Sequence, residues 1–419
     1  MTGRRRLAAA AFTGCLLALL AGCPAPTDPE ATPSTSAAPL PGRPTRASTD
    51  LPAYAGPPAG GPASAGPLTR VVGTVDLTPA TPGVFAREVA AVATPDGGAL
   101  VLMSPADRSL AQSLVRVAAD FSLGGSIPLP RLEDVWALHA LPGGAVAVTG
   151  LLAGGYGIEF ADPATGRVRT TLLAATGRRP DSEDGRSALS PDGGTLYVAV
   201  SAVTGDDVRE QLFAVDTASG RVLSRRDLAD DVAAASTYPM GRQLAGLVAR
   251  PTGGATVVFD ASPTEVAEKR IPTLLAYDTK LTPVGGPVRA TALAEGAETQ
   301  SVAGAADGTV FLLVTVRDGS WILAVPDGGG AGPLLAQLTD RVFGYALVVD
   351  PGQVWAAIPA PTGAHAVDLT TGEERPPLAV DCEPRLDVRN LYPAPGGALM
   401  TGECDTPRED TQMLWFLGP

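Results

Sequence analysis

Short apolar runs punctuated by Gly/Pro turns dominate the chain beyond residue 68. The clearest run is Thr195 to Val200, with bulky groups at Leu196, Val198 and Val200. Alternation with period two over such a short span predicts a strand. Just before it, Pro191-Asp192-Gly193-Gly194 makes a tight turn, because proline presets φ and glycine accepts positive φ. A first strand therefore enters at Ser187 to Leu189. A third runs from Leu212 to Asp216, Thr217-Ala218-Ser219-Gly220 turns the chain, and a fourth covers Arg221 to Leu228.

The same unit recurs in degraded form. Its first turn falls at Pro95, Pro142, Pro191, Pro251, Ala306, Pro351 and Pro395, at intervals of 44 to 60 residues. Four short strands per period with turn glycines is the signature of a propeller blade. Met413 to Leu417 reads as a third strand after which the sequence stops, while Thr69 to Leu77 reads as a fourth strand with nothing before it to pair with. Joining the two completes the last blade and removes an open sheet edge. The expected fold is all-β: a seven-bladed β-propeller of four-stranded antiparallel blades, the last closed by the N-terminal strand, over residues 69–419. Asp162, Asp216 and Asp368 each open a turn between third and fourth strands, where a carboxylate accepts backbone N–H bonds. Their expected role is structural.

The stretch SPDGGTLYVAV followed by LFAVDTASGRVL, from Ser190 to Leu223, resembles the YVTN-type and quinoprotein-like seven-bladed propellers. Tyr197-Val198-Ala199-Val200 stands where that family prefers Tyr-Val-Thr-Asn. The resemblance implies the fold and leaves function open, since such propellers serve as enzymes, sensors and binding platforms.

The N-terminus carries an address. Arg4, Arg5 and Arg6 precede an uncharged apolar run from Leu7 to Gly22, a signal-peptide pattern too short for a comfortable membrane span. Leu20-Ala21-Gly22 directly before Cys23 resembles a bacterial lipoprotein lipobox, which implies cleavage after residue 22 and lipidation of Cys23. Each buried acyl methylene contributes about 0.8 kcal/mol, and two or more chains hold where one does not. The expectation is a signal peptide over 1–22 and a protein anchored at the extracytoplasmic face of the cell membrane. Residues 23–68 are rich in Pro, Ser, Thr and Ala with little to bury, which predicts an extended, disordered tether. The abundance of Ala, Gly and Pro with 29 arginines against two lysines resembles a high-GC, actinobacterial composition. Net charge is -13, and -16 once the three N-terminal arginines are removed. That balance disfavours nucleic acid as a partner.

Candidate chemistry is sparse. Cys382 and Cys404 are the only cysteines in the body. The first follows a fourth strand and the second ends a second strand, so both loops fall on one face of the disc. A Cys382–Cys404 disulfide is expected, worth about 2–4 kcal/mol; a redox or metal pair is the alternative, without CxxC spacing. His139 and His365 are the only histidines, each within a strand pattern and each expected to be a satisfied strand residue. Acidic groups in RPDSEDGR (Asp181, Glu183, Asp184) and TGDDVRE (Asp206, Asp207, Glu210) read as loops, with solvation or a calcium ion as the two readings. No catalytic residue or resident metal is otherwise expected. Asp181, Asp184, Arg186, Arg209, Arg242, Arg341 and Arg385 are the candidate ligand-face residues, either gripping a partner or forming ion pairs between blades. The longest loop of that face is read from Phe259 to Thr273. Trp136, Trp321, Trp355 and Trp415 read as blade packing. No GxSxG elbow, Walker A loop, GxGxxG or CxxCH signature is present.

The first functional expectation is a non-enzymatic platform for a protein or envelope component. The alternatives are a lactonase-like or quinoprotein-like enzyme, indicated by an acid-lined central funnel with a bound metal or quinone, and a small-ligand sensor, indicated by clustering of the loop arginines in a closed pocket. A closed ring needs no partner for stability, so a monomer is expected.

Overall fold

The computed structural model describes residues 68–419 except 81–85, 106–110, 177–181, 205–206, 236–242, 263–269, 292–295, 317–318, 330–331, 339–345, 383–384 and 406–409. The N-terminal expectations, Cys23 included, lie outside the described residues.

Seven four-stranded antiparallel sheets form the blades. Blade 1 is β2 (Ala86–Ala93), β3 (Ala99–Pro105), β4 (Gln112–Val117) and β5 (Leu123–Leu129). Blade 2 is β6 (Leu132–Ala140), β7 (Val146–Leu152), β8 (Gly155–Asp162) and β9 (Arg167–Ala175). Blade 3 is β10 (Ser182–Leu189), β11 (Thr195–Thr204), β12 (Asp207–Asp216) and β13 (Val222–Asp227). Blade 4 is β14 (Gln243–Ala249), β15 (Ala255–Ala261), β16 (Ile271–Tyr277) and β17 (Val288–Arg289). Blade 5 is β18 (Glu298–Gly304), β19 (Val310–Val316), β20 (Gly319–Val325) and β21 (Leu334–Leu338). Blade 6 is β22 (Val348–Val349), β23 (Trp355–Ala360), β24 (Gly363–Asp368) and β25 (Leu378–Ala379). Blade 7 is β26 (Arg385–Ala394), β27 (Gly397–Asp405), β28 (Asp410–Gly418) and, as its fourth strand, β1 (Arg70–Asp76). All seven turn residues found in the sequence join a first strand to a second.

The apolar alternation packs both faces of every blade. Leu196, Val198 and Val200 of β11 pack toward blade 2, while Tyr197 and Ala199 pack toward blade 4. Middle strands such as β7 and β15 are consequently buried along their whole length. The outer strand β13 instead alternates half-buried and exposed residues. The core is therefore seven wedges, one apolar cluster at each boundary between consecutive blades.

Closure is made by β1 and β28, paired from Arg70 opposite Gly418 to Asp76 opposite Met413. The Leu77 amide donates to the Gln412 carbonyl at 2.7 Å, extending the latch. Val75 and Leu77 are buried with Val101, Val115 and Phe416 between blades 7 and 1. Phe121 adopts φ 65° in the adjoining turn, and its ring covers Gly73 so closely that a Cβ there would lie 2.3 Å away.

Cys382 lies between β25 and β26, and Cys404 lies in β27; they form a disulfide with a Cα–Cα distance of 5.7 Å. The turn aspartates behave as expected. Asp216 Oδ1 accepts the Ser219 amide at 2.7 Å, and Asp368 Oδ1 accepts the Thr370 and Thr371 amides at 2.8 and 3.0 Å. Asp162 accepts the Ala164 amide at 2.9 Å. These bonds favour the charged form and hold all three pKa values below the usual carboxylate value.

Several boundaries differ from the sequence reading. Glu183 and Asp184 lie within β10, and Glu210 lies within β12 and is buried, so none of the three is a loop ligand. The hairpins of blade 3 are longer than the apolar run because Ala202 and Val203 keep pairing on both sides beyond Val200. Phe259–Ala261 and Ile271–Thr273 are strand, so both ends of the expected long loop belong to β15 and β16. A helical turn, α1 (Ala229–Ala235), links blades 3 and 4, with Val232 and Ala235 buried.

Candidate functional site

The inner strands surround one axial cavity of about 480 Å³, and every blade contributes to its wall. Five residues before each turn residue, the chain places Ala90, Ala137, Arg186, Gly246, Ser301, Ala346 and Asn390, and all seven line the cavity. The four small members leave the space open. The three polar members come from blades 3, 5 and 7, so one ring carries a guanidinium, a hydroxyl and an amide directed from different sides.

A second device aims side chains at this space. The pairing of first to second strand is interrupted at Val89, Trp136, Ala245, Gln300 and Arg389. Each stands six positions before its turn residue, Pro95, Pro142, Pro251, Ala306 and Pro395 respectively. A bulge leaves one residue unpaired and re-aims its side chain. Trp136, Ala245 and Gln300 reach the cavity this way. Blade 3 lacks the bulge and has Gly185 at the equivalent position, where a Cβ would come within 2.0 Å of the Trp136 ring. The Trp136 ring occupies the space beside Gly185 where a Cβ would stand, with its centroid 5.7 Å from that of Tyr156. The other three tryptophans are buried blade packing, as the alternation implies. Tyr156 is likewise a buried strand residue.

Of the candidate ligand-face residues that the structure describes, Arg186 alone lines the cavity. Its Nη1 pairs with Asp184 and donates to the Gly185 carbonyl at 2.9 Å, while Nε donates to the Ala245 carbonyl of blade 4 at 3.2 Å. Burial raises the Asp184 pKa while Arg186 opposes the shift. Arg209 stands on β12, in register through Ala202 with Glu183 on β10. Arg385 is exposed at the start of β26, beside the disulfide. Asp181, Arg242 and Arg341 lie outside the described residues. The described loop charges thus do not converge on one point. The ion pairs Arg186–Asp184 and Arg389–Glu403 are within blades, whereas Arg250–Asp327 at 3.0 Å joins blades 4 and 5.

No carboxylate among the described residues lines the cavity. Nor do three or more His, Cys, Asp or Glu among them come together as a metal site. Glu183 and Asp184, consecutive on a strand, point to opposite faces.

The histidines differ in surroundings. His365 Nδ1 lies 3.3 Å from the Arg375 carbonyl. His139 of β6 contacts Ser187 of β10 through Nε2 at 2.7 Å, and Ser187 Oγ also lies 2.8 Å from Thr149 Oγ1. Desolvation lowers the His139 pKa to about 4, so the ring is neutral at pH 7. Ser187 lines the cavity.

No protein-family model matches the sequence, and no curated protein does. Solved structures share the fold. Puromycin hydrolase aligns with TM-score 0.55 and 17% identity over 84% of this chain; the alignment spans 55% of the hydrolase. A chain of the mitotic checkpoint complex aligns with TM-score 0.52 and 12% identity, over 91% of this chain and 100% of that one. Oligogalacturonate lyase in complex with manganese aligns with TM-score 0.50 and 11% identity, over 80% and 96%. At these identities the likeness is one of propeller architecture, and it is to such propellers that this chain is similar.

Proposed function

We propose that the protein captures a small polar solute, without net charge, in the axial cavity, as a receptor anchored through Cys23 to the extracytoplasmic face of the membrane. The tether 23–68 would carry a monomeric propeller clear of the lipid. The observation that supports this reading is the ring five residues before the turns, in which four small residues leave room and Arg186, Ser301 and Asn390 supply directed polar groups. A cavity of about 480 Å³ falls within the roughly 300–1,000 Å³ of small-ligand sites. Arg186 is already neutralised by Asp184, so a charged solute would lose its hydration without a counter-charge in return. Apolar Leu138, Leu247 and Leu391 and the aromatic Trp136 complete a wall that suits a compact polyol, nucleoside or zwitterion.

The test is native mass spectrometry and thermal shift of the full chain against panels of monosaccharides, nucleosides and free amino acids. One class should be retained and should raise Tm, and Asn390→Leu with Gln300→Leu should abolish both effects. Retention of no class, or retention unchanged in the double variant, would reject the cavity as the site.

A further inference from the structure

Ser187 interrupts a pattern. The residue four positions before the turn is Ala91, Leu138, Leu247, Val302, Leu347 or Leu391 in the other six blades. Only blade 3 has a hydroxyl there. The position three before the turn is apolar or aromatic in every blade except blade 2, where it is His139. Both exceptions meet at a single boundary, between blades 2 and 3, and lie 2.7 Å apart. Polar groups in an apolar wedge cost stability unless paired, and departures from a repeat concentrate at functional sites. Pairing alone would be met by a buried contact; here Ser187 also stands on the cavity wall.

We propose that Ser187 is a nucleophile and His139 its general base, and that the cavity cleaves a small carboxylic ester. The proposal rests on the cavity admitting small solutes. The neutral imidazole offers the Nε2 lone pair to the Ser187 hydroxyl, and Thr149, whose Oγ1 lies 2.8 Å from Ser187 Oγ, acts as a positioning residue. In the first step the Oγ–C bond forms, the ester C–O bond to the leaving group breaks, and the serine proton passes through His139 Nε2 to the departing alkoxide. Water then attacks the acyl carbon, His139 takes its proton, the acid leaves, and the proton returns to Ser187 Oγ. The products are one carboxylic acid and one alcohol. Gln300, Asn390 and Arg186 bring N–H donors to the same cavity, the kind of group that stabilises a developing oxyanion.

The experiment treats the full chain with an alkyl fluorophosphonate, which phosphonylates an activated serine with loss of fluoride, and maps adducts by peptide mass. In parallel, a Ser301→Cys variant, altered elsewhere on the cavity wall, is exposed to iodoacetamide and mapped in the same way. A single adduct on Ser187, absent in Ser187→Ala and formed at least about tenfold more slowly in the folded His139→Gln variant, is the expected result. Thr149→Val should slow it less and provides a second readout if His139→Gln does not fold. Alkylation at position 301 without phosphonylation of Ser187 overturns the nucleophile and leaves the cavity reading standing. Neither reaction overturns both. Labelling of Ser187 at an unchanged rate in both His139→Gln and Thr149→Val also overturns the assignment.

Discussion

Asp260 of blade 4 holds Thr299 of blade 5. Its Oδ2 accepts the Thr299 amide at 2.8 Å, and its Oδ1 accepts the Thr299 hydroxyl at 2.6 Å. The carboxyl is almost completely buried, and the contact ties the end of β15 to the start of β18. Thr299 directly precedes the bulged residue Gln300, so this latch also sets where Gln300 leaves the strand.

That latch titrates. Desolvation raises the Asp260 pKa from 3.8 to about 6, against the opposing Thr299 bonds. The folded protein then holds a proton between pH 3.8 and 6 that the unfolded chain has released. Its contribution is fully present below the unfolded pKa and is lost as pH rises through the folded one, by about 3 kcal/mol. Asp260→Asn should remove that slope: urea unfolding of variant and wild type should differ by a ΔΔG that shifts in the variant's favour from pH 4 to 7. A constant difference across that range would contradict the buried, protonated state.

His139 works in the opposite sense. Its pKa falls from 6.5 to about 4, so between those values the unfolded chain binds the extra proton. The stability it contributes is present above 6.5 and is lost as pH falls through about 4, by about 3 kcal/mol. Over pH 4–6 it offsets Asp260. His139→Gln, which keeps a polar group opposite Ser187, should therefore lose less stability than wild type on acidification, and the Asp260→Asn, His139→Gln double variant should be flatter than either. Urea midpoints at three pH values check both signs.

The seven blades are legible in the sequence because the physics that sets them is local. A Pro-Gly turn needs particular residues at particular positions, and burial on both faces demands the apolar runs between turns. Closure by β1 is legible for the same reason: a lone fourth strand and a lone third strand leave complementary edges. The cavity is less legible. A bulge changes the parity of a strand, so alternation alone assigns Gln300 or Trp136 to the wrong face. Its signal is positional: a residue six before each turn, and a small or polar one five before, visible once the blades are aligned on their turns. Conspicuous charge draws attention to Arg209 and Arg385 instead, although neither lines the cavity. Ser187 and His139 look ordinary in isolation, since their meeting depends on the packing of two blades.

Gly185 should tolerate no side chain. A Cβ would sit 2.0–2.4 Å from three atoms of the Trp136 ring, and the ring is backed by Tyr156. Gly185→Ala is expected to cost about 1–3 kcal/mol, typical of overpacking. In a Trp136→Leu background the same change should cost much less, because the obstacle is gone. A double-mutant cycle by chemical denaturation measures the coupling, and additive effects would place the strain elsewhere in blade 3.

Blade 7 is held by two separate devices, a disulfide that braces its inner strands and a packed strand that closes the ring, and they should respond differently. The Cys382–Cys404 disulfide spans a sequence separation of 22 residues within the neighbourhood of blade 7. Cys382→Ser with Cys404→Ser should cost about 3 kcal/mol, chiefly by freeing the unfolded chain. Leu77 instead fills the wedge between blades 7 and 1 from just beyond β1, and it is fully buried. Leu77→Ala should cost about 2–5 kcal/mol and should loosen β1 in the native state, exposing the β28 amides that it covers. Hydrogen exchange separates the two. Faster exchange at residues 410–418 should accompany Leu77→Ala under native conditions, whereas the cysteine variant should shift the global unfolding midpoint more than it shifts exchange in β28. Equal exchange in β28 for both variants would mean that closure is carried by the disulfide as much as by the strand.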